Sequence, residues 1–204
     1  MKTLGVTTGL GPLADGFAAH EIGADGLVGS PPQIEDLDAL IGLFSNERVV
    51  ATLGGARSPV RVREILAVWQ ALWSERGFGP WILRRGQRRE FVGYAGVAMA
   101  SAGQPGEVEL LYALLPEVWG AGVATRAATF AIDSVFGRSD SSGIPDQLIA
   151  YTLTTNSRSR RVIEKLGFLY ECEVEHAGYP HAFYRLVRSE WIRVREPPSI
   201  SDTL

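Results

Sequence analysis

Residues 117–137 read EVWGAGVATRAATFAIDSVFG, with two glycines and a small alanine set where an apolar run passes into a helix. Glycine has no side chain to hold a ligand away, and the first turn of a helix offers unpaired N–H groups and the positive end of its dipole. A phosphate is the natural occupant of such a corner. A tight strand-to-helix turn with nothing bound accounts for the same residues equally well. Two familiar phosphate loops do not fit. No Gly-Lys-Ser/Thr is present, as a Walker A loop requires, and Thr125 stands where the dinucleotide fingerprint needs its third Gly or Ala. That fingerprint also belongs to a parallel βαβ unit opening a domain.

Outward from this corner the hydrophobic period alternates between helix and strand. Leu37, Leu40, Ile41 and Phe44 follow i, i+3, i+4, i+7 spacing and predict an amphipathic helix over 34–45. A second helix is capped by Ser58, has Pro59 in its first turn, buries Val62, Ile65, Leu66, Trp69 and Trp73, and closes at Gly77. The two tryptophans therefore read as core, while Trp81, after Pro80 at a strand start, stays open. PWILRR (80–85) and EFVGYAGVAMA (90–100) are strands joined by a polar segment centred on Gly86. EVELLYALL (107–115) follows the turn signals of Gly103 to Gly106, so the three form an antiparallel meander. Beyond the opening stretch, QLIAYTLTT (147–155) is a strand and SRSRRVIEKLG (157–167) a helix. Residues 169–175 and 182–188 then make a closing hairpin about HAGYPH. With a short strand before the first helix, the order α-α-β-β-β-α-β-α-β-β implies an α/β fold, an α+β sandwich on one mixed sheet.

Composition sets outer limits. The 204 residues are 46% hydrophobic and 21% charged, enough to bury one core, so a single domain over 23–192 is expected. A flexible lead-in (1–22) rich in Gly, Thr and Ala and a flexible tail (193–204) carrying EPPSISDTL flank it. A net charge of -3 gives no global pull toward nucleic acid or anionic lipid, so neither is an expected partner. Cys172 is the one cysteine and cannot form an internal disulfide, and no Cys/His spacing resembles a zinc site. No metal is expected, and a reducing, cytoplasmic setting is the default. Residues 1–20 lack the basic start and unbroken apolar core of a signal peptide, and no segment is apolar enough to span a bilayer.

Two stretches taken together carry a resemblance. EVELLYALLPEVWGAGVATRAA (107–128) followed by TTNSRSRRVIEKLGFLYECEVEHAGYPHAFYRL (154–186) resembles the GNAT superfamily of N-acetyltransferases, in its RimJ/RimL-type branch. The likeness extends over roughly residues 27–188 and implies the GNAT acyl-CoA N-acyltransferase fold. In that family an Arg/Gln-x-x-Gly-x-Gly/Ala loop wraps the pyrophosphate of acetyl-CoA. Here Gly122 and Ala124 match its last two positions, and Trp119 replaces the Arg or Gln. The resemblance implies that Gly120, Ala121, Gly122, Val123, Ala124 and Thr125 hold the pyrophosphate. It also implies that Leu114 and Leu115, ahead of Pro116, hydrogen-bond the pantetheine arm through their backbone and polarise the thioester carbonyl. Asn156 and Ser159 match the N-x-x-S element near the thiol, although Asn156 is equally a good helix N-cap with Ser159 in the first turn.

The implied reaction is direct attack of a primary amine on the thioester of acetyl-CoA, a co-substrate rather than a resident cofactor. The amine must lose a proton and the departing thiolate gain one. Glu107 and Glu109 lie two apart on one strand face. Glu109, nearer the expected thioester, is the first choice of base, against the plainer reading of a solvated or ion-paired carboxylate. Many GNAT enzymes carry a tyrosine acid seven residues beyond the Asn, where this chain has Ile163. The acid role then falls to Ser159, to Tyr184, or to no residue, since a thiolate leaves tolerably unaided. His176 and His181 bracket the hairpin turn as substrate contacts or turn residues. Arg126, Arg158, Arg160 and Arg161 are candidates for the 3′-phosphate or simply the wet face of a helix.

Related sequences open with a strand carrying arginines, whereas DGLVGSPP (25–32) is glycine-rich there, which bears on the acceptor side or on a homodimer contact. Three classes stay open: an N-acetyltransferase acting on a protein N-terminus or small-molecule amine, a catalytically quiet acyl-CoA-binding module, and a cofactor-free interaction protein. The resemblance favours the first.

Overall fold

The computed structural model describes residues 19–23, 25–138 and 145–195. The chain opens with β1 (His20–Glu21) and β2 (Val28–Ser30), then a 3₁₀ turn (Ile34–Asp36), α1 (Leu37–Ser45), α2 (Glu47–Val50) and α3 (Pro59–Arg76). The meander β3 (Pro80–Arg85), β4 (Glu90–Met99) and β5 (Val108–Leu114) follows. After it come a 3₁₀ turn (Pro116–Val118), α4 (Val123–Phe136), β6 (Gln147–Leu153), α5 (Ser157–Lys165), β7 (Leu169–His176), β8 (Tyr179–Val187) and α6 (Arg188–Arg195). All strands join one mixed sheet in the order β1-β2-β3-β4-β5-β6-β8-β7. The expected mixed-sheet α/β sandwich is the observed fold.

Local chemistry accounts for the long elements. The Ser58 side chain accepts from the Arg61 N–H at 3.2 Å, Pro59 opens α3, and Gly77 closes it at φ 68° in the left-handed region. Trp69 and Trp73 are buried as expected. Trp81 is buried too, edge-on to Trp73 at 4.4 Å between ring centres. The glycine-rich strand expected before the first helix is β2, and it keeps its place because Gly29 has no side chain: a Cβ there would lie 3.0 Å from Ile22 and 3.4 Å from Trp81. Asp36, buried, accepts the Gln33 N–H at 2.7 Å and pairs with Arg84, tying the 3₁₀ turn to β3.

Several boundaries differ from expectation. β1 draws residues 20–21 of the expected lead-in into the sheet, and Ile22 is buried behind it. The first eighteen residues and the tail from 196 lie outside the described residues. The short α2, capped by the Asn46 side chain on the Arg48 and Val49 N–H groups, and α6, anchored by Trp191 Nε1 donating to Asp133 at 2.8 Å, are additions. Among the described residues no helix is long and apolar enough to cross a membrane.

One apolar cluster lies between the sheet and α4 to α6, around Ile132, Phe136, Leu148, Ile163 and Tyr184. Another fills the opposite face beneath α1 and α3, around Leu40, Leu66, Trp69, Tyr94 and Ala113. The sheet is thus a wall with helices on both sides, and the site lies where that wall splits.

Candidate active site

β5 and β6 run parallel but pair at one register position, Glu109 opposite Ile149. Toward their C-terminal ends the strands part and a cleft of about 960 Å³ opens. Register decides which groups look into it. The Leu115 N–H donates to the Val92 carbonyl at 2.8 Å, and alternation along an antiparallel ladder then turns the N–H and C=O of Tyr112 and Leu114 to the other edge, into the gap. Of the two leucines expected at a pantetheine arm, Leu114 faces the gap. Leu115 is held against β4, and its carbonyl accepts the Val118 N–H at 3.2 Å. The Trp119 indole N–H donates to the Leu114 carbonyl at 2.8 Å, so Leu114 presents its own N–H.

On the side of α4 and α5 the cleft is built for an anion. Gly120 and Gly122 take φ of 79° and 73°, which L side chains rarely adopt. Gly122 is the N-cap of α4 with no side-chain cap, so the N–H groups of Val123, Ala124 and Thr125 end the helix unpaired. A Cβ at Gly120 would meet nothing within 4 Å, leaving the loop open to a bulky group. Trp119 lies under two guanidinium groups, Arg48 at 5.2 Å and Arg158 at 5.3 Å from its ring centre. Arg158, Arg161 and Lys165 line this side. The other two candidate arginines are engaged elsewhere: Arg126 bonds Asp25 at 2.6 Å and the Ala121 carbonyl at 3.0 Å, and Arg160 donates from Nε to the Tyr184 hydroxyl at 3.0 Å. An uncapped helix start, two left-handed glycines and the cations of Arg158, Arg161 and Lys165 fit a diphosphate group well.

Asn156 is the N-cap of α5, accepting the Ser159 N–H at 3.1 Å, and both residues line the cleft. The Ser159 hydroxyl lies 2.9 Å from the Tyr112 hydroxyl, which also donates to the Ser159 carbonyl at 3.1 Å. Tyr184 is elsewhere. It is fully buried in the core behind β8, donates to Glu164 at 3.2 Å, and does not line the cleft.

The opposite side of the split holds the titratable groups. Side chains alternate across β5, so Glu109 points away from Tyr112, to the face of α1 and α3. Burial lifts the Glu109 carboxyl to about 7, against partial relief from the Tyr151 hydroxyl and the Ser101 N–H. Tyr151 in turn hydrogen-bonds Ser101 Oγ at 2.7 Å and meets His176 edge-on at 5.2 Å. Burial and, next, the charge of neighbouring His181 hold His176 below the ordinary imidazole range. The His181 Nδ1 is bonded to the Tyr179 carbonyl at 2.9 Å. Glu107 is a different case. Burial would raise its carboxyl, but the Arg185 guanidinium at 2.5 Å and the Gln104 N–H at 2.7 Å outweigh it and hold the group ionised.

Arg57, Tyr94, Tyr112 and Tyr151 belong to this site and escape a reading of the sequence alone. Tyr112 alternates with Glu109 and Leu111 on β5, so strand parity already carries its signal. Arg57 lies in an irregular loop and has none.

Residues 27–169, well over half of the chain, match the acetyltransferase (GNAT) domain. Solved structures share the architecture. An acetyltransferase from Agrobacterium tumefaciens str. C58 superposes with a TM-score of 0.69 at 20% identity, covering 86% of this chain and 98% of its own. A ribosomal-protein-S5-alanine acetyltransferase from Vibrio fischeri gives 0.68 at 16%, over 88% and 100%. The aminoglycoside acetyltransferase AAC(6′)-Ib in complex with coenzyme A gives 0.63 at 19%, over 79% and 95%. With a split sheet, an uncapped glycine-rich helix start at its mouth and this match over residues 27–169, the chain belongs to the GNAT acetyltransferase family.

Proposed function

We propose that this protein moves the acetyl group of acetyl-CoA to a primary amine by direct attack, with Glu109 as general base. The observation that carries the reading is the placement of Glu109. A carboxyl that burial raises to about 7 stands at the fork where β5 and β6 part, between the anion cradle and the part of the cleft on the other face. Such a pKa matches the task of taking a proton from an ammonium group near pH 7. The coenzyme A held by the aminoglycoside acetyltransferase of the same fold supports the choice of donor. Paired motifs at 107–128 and 154–186, with the ribosomal-protein-S5-alanine acetyltransferase likeness, support the RimJ/RimL-type branch.

The N–H groups of Val123, Ala124 and Thr125 take the diphosphate, Arg158 and Arg161 neutralise it further, and the Leu114 N–H receives an amide oxygen of the pantetheine arm. Glu109 accepts the ammonium proton. The amine nitrogen then bonds to the thioester carbonyl carbon, the C–S bond breaks, and the sulfur leaves as thiolate. The Tyr112–Ser159 hydroxyl pair supplies its proton, in place of the tyrosine many family members carry where Ile163 stands, and the second proton that the nitrogen sheds as the amide forms returns through solvent to that pair. Tyr184, buried away from the cleft, takes no part.

The test is calorimetry with acetyl-CoA followed by release of free CoA against an amine and peptide panel. Binding near micromolar and thiol release with at least one acceptor are expected. Binding without release from any acceptor would instead favour a sensing module, for which Ile163 in place of a tyrosine acid is the relevant feature. No heat near millimolar ligand, a limit of about 4 kcal/mol, would remove both readings.

A further inference from the structure

The pocket on the Glu109 face is lined by α2, the loop after it, the start of α3 and the tip of the β7–β8 hairpin. Its charge is unexpected for a site that binds an ammonium group. Arg48, Arg57 and Arg61 line that side, and Glu109 is the one carboxylate among the described residues around the cleft. Two of these arginines have side-chain contacts of their own: Arg48 lies on Trp119, as Arg158 does, and Arg61 pairs with Glu64 at 2.8 Å. Arg57 is built in. Its Nη1 donates to the Gly55 carbonyl at 2.6 Å and its Nη2 to the Leu53 carbonyl at 3.0 Å, while its own N–H donates to the Phe44 carbonyl at 3.2 Å. Neutral carbonyls fix the head without cancelling its charge, no carboxylate among the described residues pairs with it, and a guanidinium has five N–H donors to offer. Arg57, Tyr94 and Glu109 line the same cleft, and both charges lie within electrostatic reach of the buried Tyr94 phenol.

Building on the acetyltransferase reading, we infer that the acceptor is a compact primary amine carrying its own carboxylate, with its ammonium at Glu109 and its carboxylate on Arg57. A polycationic acceptor meets three arginines here and one carboxylate that must be ionised to act. An amine with a carboxylate satisfies both fixed charges at once, and a bidentate guanidinium–carboxylate contact orients the nitrogen. Size points the same way. A Cβ on Gly54 would lie 3.6 Å from Tyr179, so the loop and the hairpin tip already meet over the pocket, which suits a free small molecule better than a protein chain. Phe44, Val49 and Trp69, all buried, supply an apolar wall, so the body of the acceptor is apolar, as in leucine or phenylalanine.

The experiment compares L-leucine and L-phenylalanine with their carboxamides, a C-terminally blocked peptide, and spermidine, in wild type, Arg57→Gln and Arg57→Lys. CoA release and calorimetry are both read. In the wild type, kcat/KM for each acid exceeds that for its amide by about 10- to 100-fold, the range for a charge-assisted contact. Arg57→Gln brings acid and amide to parity while acetyl-CoA binding and the melting temperature hold, and Arg57→Lys restores part of the preference. Three results overturn the inference: the amide, the peptide or spermidine turned over as fast as the acids, an acid-to-amide ratio unchanged in Arg57→Gln, or no acid accepted although another amine is. If acetyl-CoA itself does not bind, the acetyltransferase reading fails. The Arg57 site is then judged separately by whether L-phenylalanine binds the wild type and not Arg57→Gln.

Discussion

Glu107 and Glu109 are two residues apart in sequence and have opposite electrostatic fates, which makes them a controlled comparison. Glu107 is held ionised by Arg185 and the Gln104 N–H, so it does not titrate near neutrality. Glu109 is raised by burial from 4.5 to about 7. Across the window between those values the folded protein keeps a proton that the unfolded chain has lost, so stability falls as pH rises through it, by up to about 3 kcal/mol. Glu109→Gln removes that loss. The variant is expected to melt above the wild type at pH 8 and level with it near pH 4, while kcat/KM falls by about 10²- to 10⁴-fold and loses its inflection near 7. A thermal scan and a pH–rate profile check the two halves, and a profile that keeps its inflection counts against the base assignment. Tyr112 and Ser159 act as one hydroxyl pair. Tyr112→Phe and Ser159→Ala should each lower kcat by about 10-fold with acetyl-CoA binding unchanged, and the double variant should be no slower than either, because the second loss finds nothing left to break. Additive losses in that cycle would separate their roles. Strand parity makes Tyr112 legible in the sequence once Glu109 is noticed, whereas Arg57 depends on a loop whose shape no period encodes.

Elements place those residues, and the meander is the element that matters. Its strands are legible because alternation and turn glycines agree over 80–115, and the long helices are legible because cap, stripe and stop residues all point one way. β1 is two residues long and has no period to read, α2 is a single turn, and α6 buries Trp191 in a short run rich in arginine. What sequence reading cannot supply is the irregularity at Val92–Gly93, where the β3–β4 register slips and Gly93 turns to a positive φ beside β5. A Cβ at Gly93 would lie 2.1 Å from the Ala113 carbonyl oxygen and 2.8 Å from the Leu114 Cα, and φ is 136°. Both neighbours are backbone and cannot swing aside. Gly93→Ala is therefore expected to cost more than about 3 kcal/mol, seen as poor soluble yield or a melting point lowered by roughly 6 to 12 °C. It should also push Leu114 out of the gap and weaken acetyl-CoA binding. The loop before α4 behaves differently. Gly120 has open space where a Cβ would go but a φ of 79°, so Gly120→Ala meets strain alone, about 1–2 kcal/mol. Calorimetry should show weaker acetyl-CoA binding with the fold intact, and unchanged affinity would mean the loop does not carry the diphosphate.

At the scale of the whole molecule the charge is uneven. The chain is net negative, at -3, yet its cleft is lined by Arg48, Arg57, Arg61, Arg158, Arg161 and Lys165 against Glu109. Composition is blind to that distribution, because the cations come from α2, the following loop, α3 and α5, which the sheet order gathers around one split. Their exposure is unequal. Arg158 and Arg161 on α5 are exposed, so their attraction for a phosphate-rich ligand is screened by salt, while Arg57 is half-buried and held by carbonyls at fixed distance. Raising ionic strength from about 0.05 M to about 0.5 M shortens the screening length from roughly 14 Å to roughly 4 Å. KM for acetyl-CoA should rise several-fold over that range, with kcat and the acid-to-amide preference of the acceptor little changed. In Arg158→Ala combined with Arg161→Ala the KM at low salt should already be high and its salt response flattened. If instead both KM values climb together in salt, and the double variant does not flatten the first, the two basic regions form one field and the division of the cleft into a donor side and an acceptor side fails.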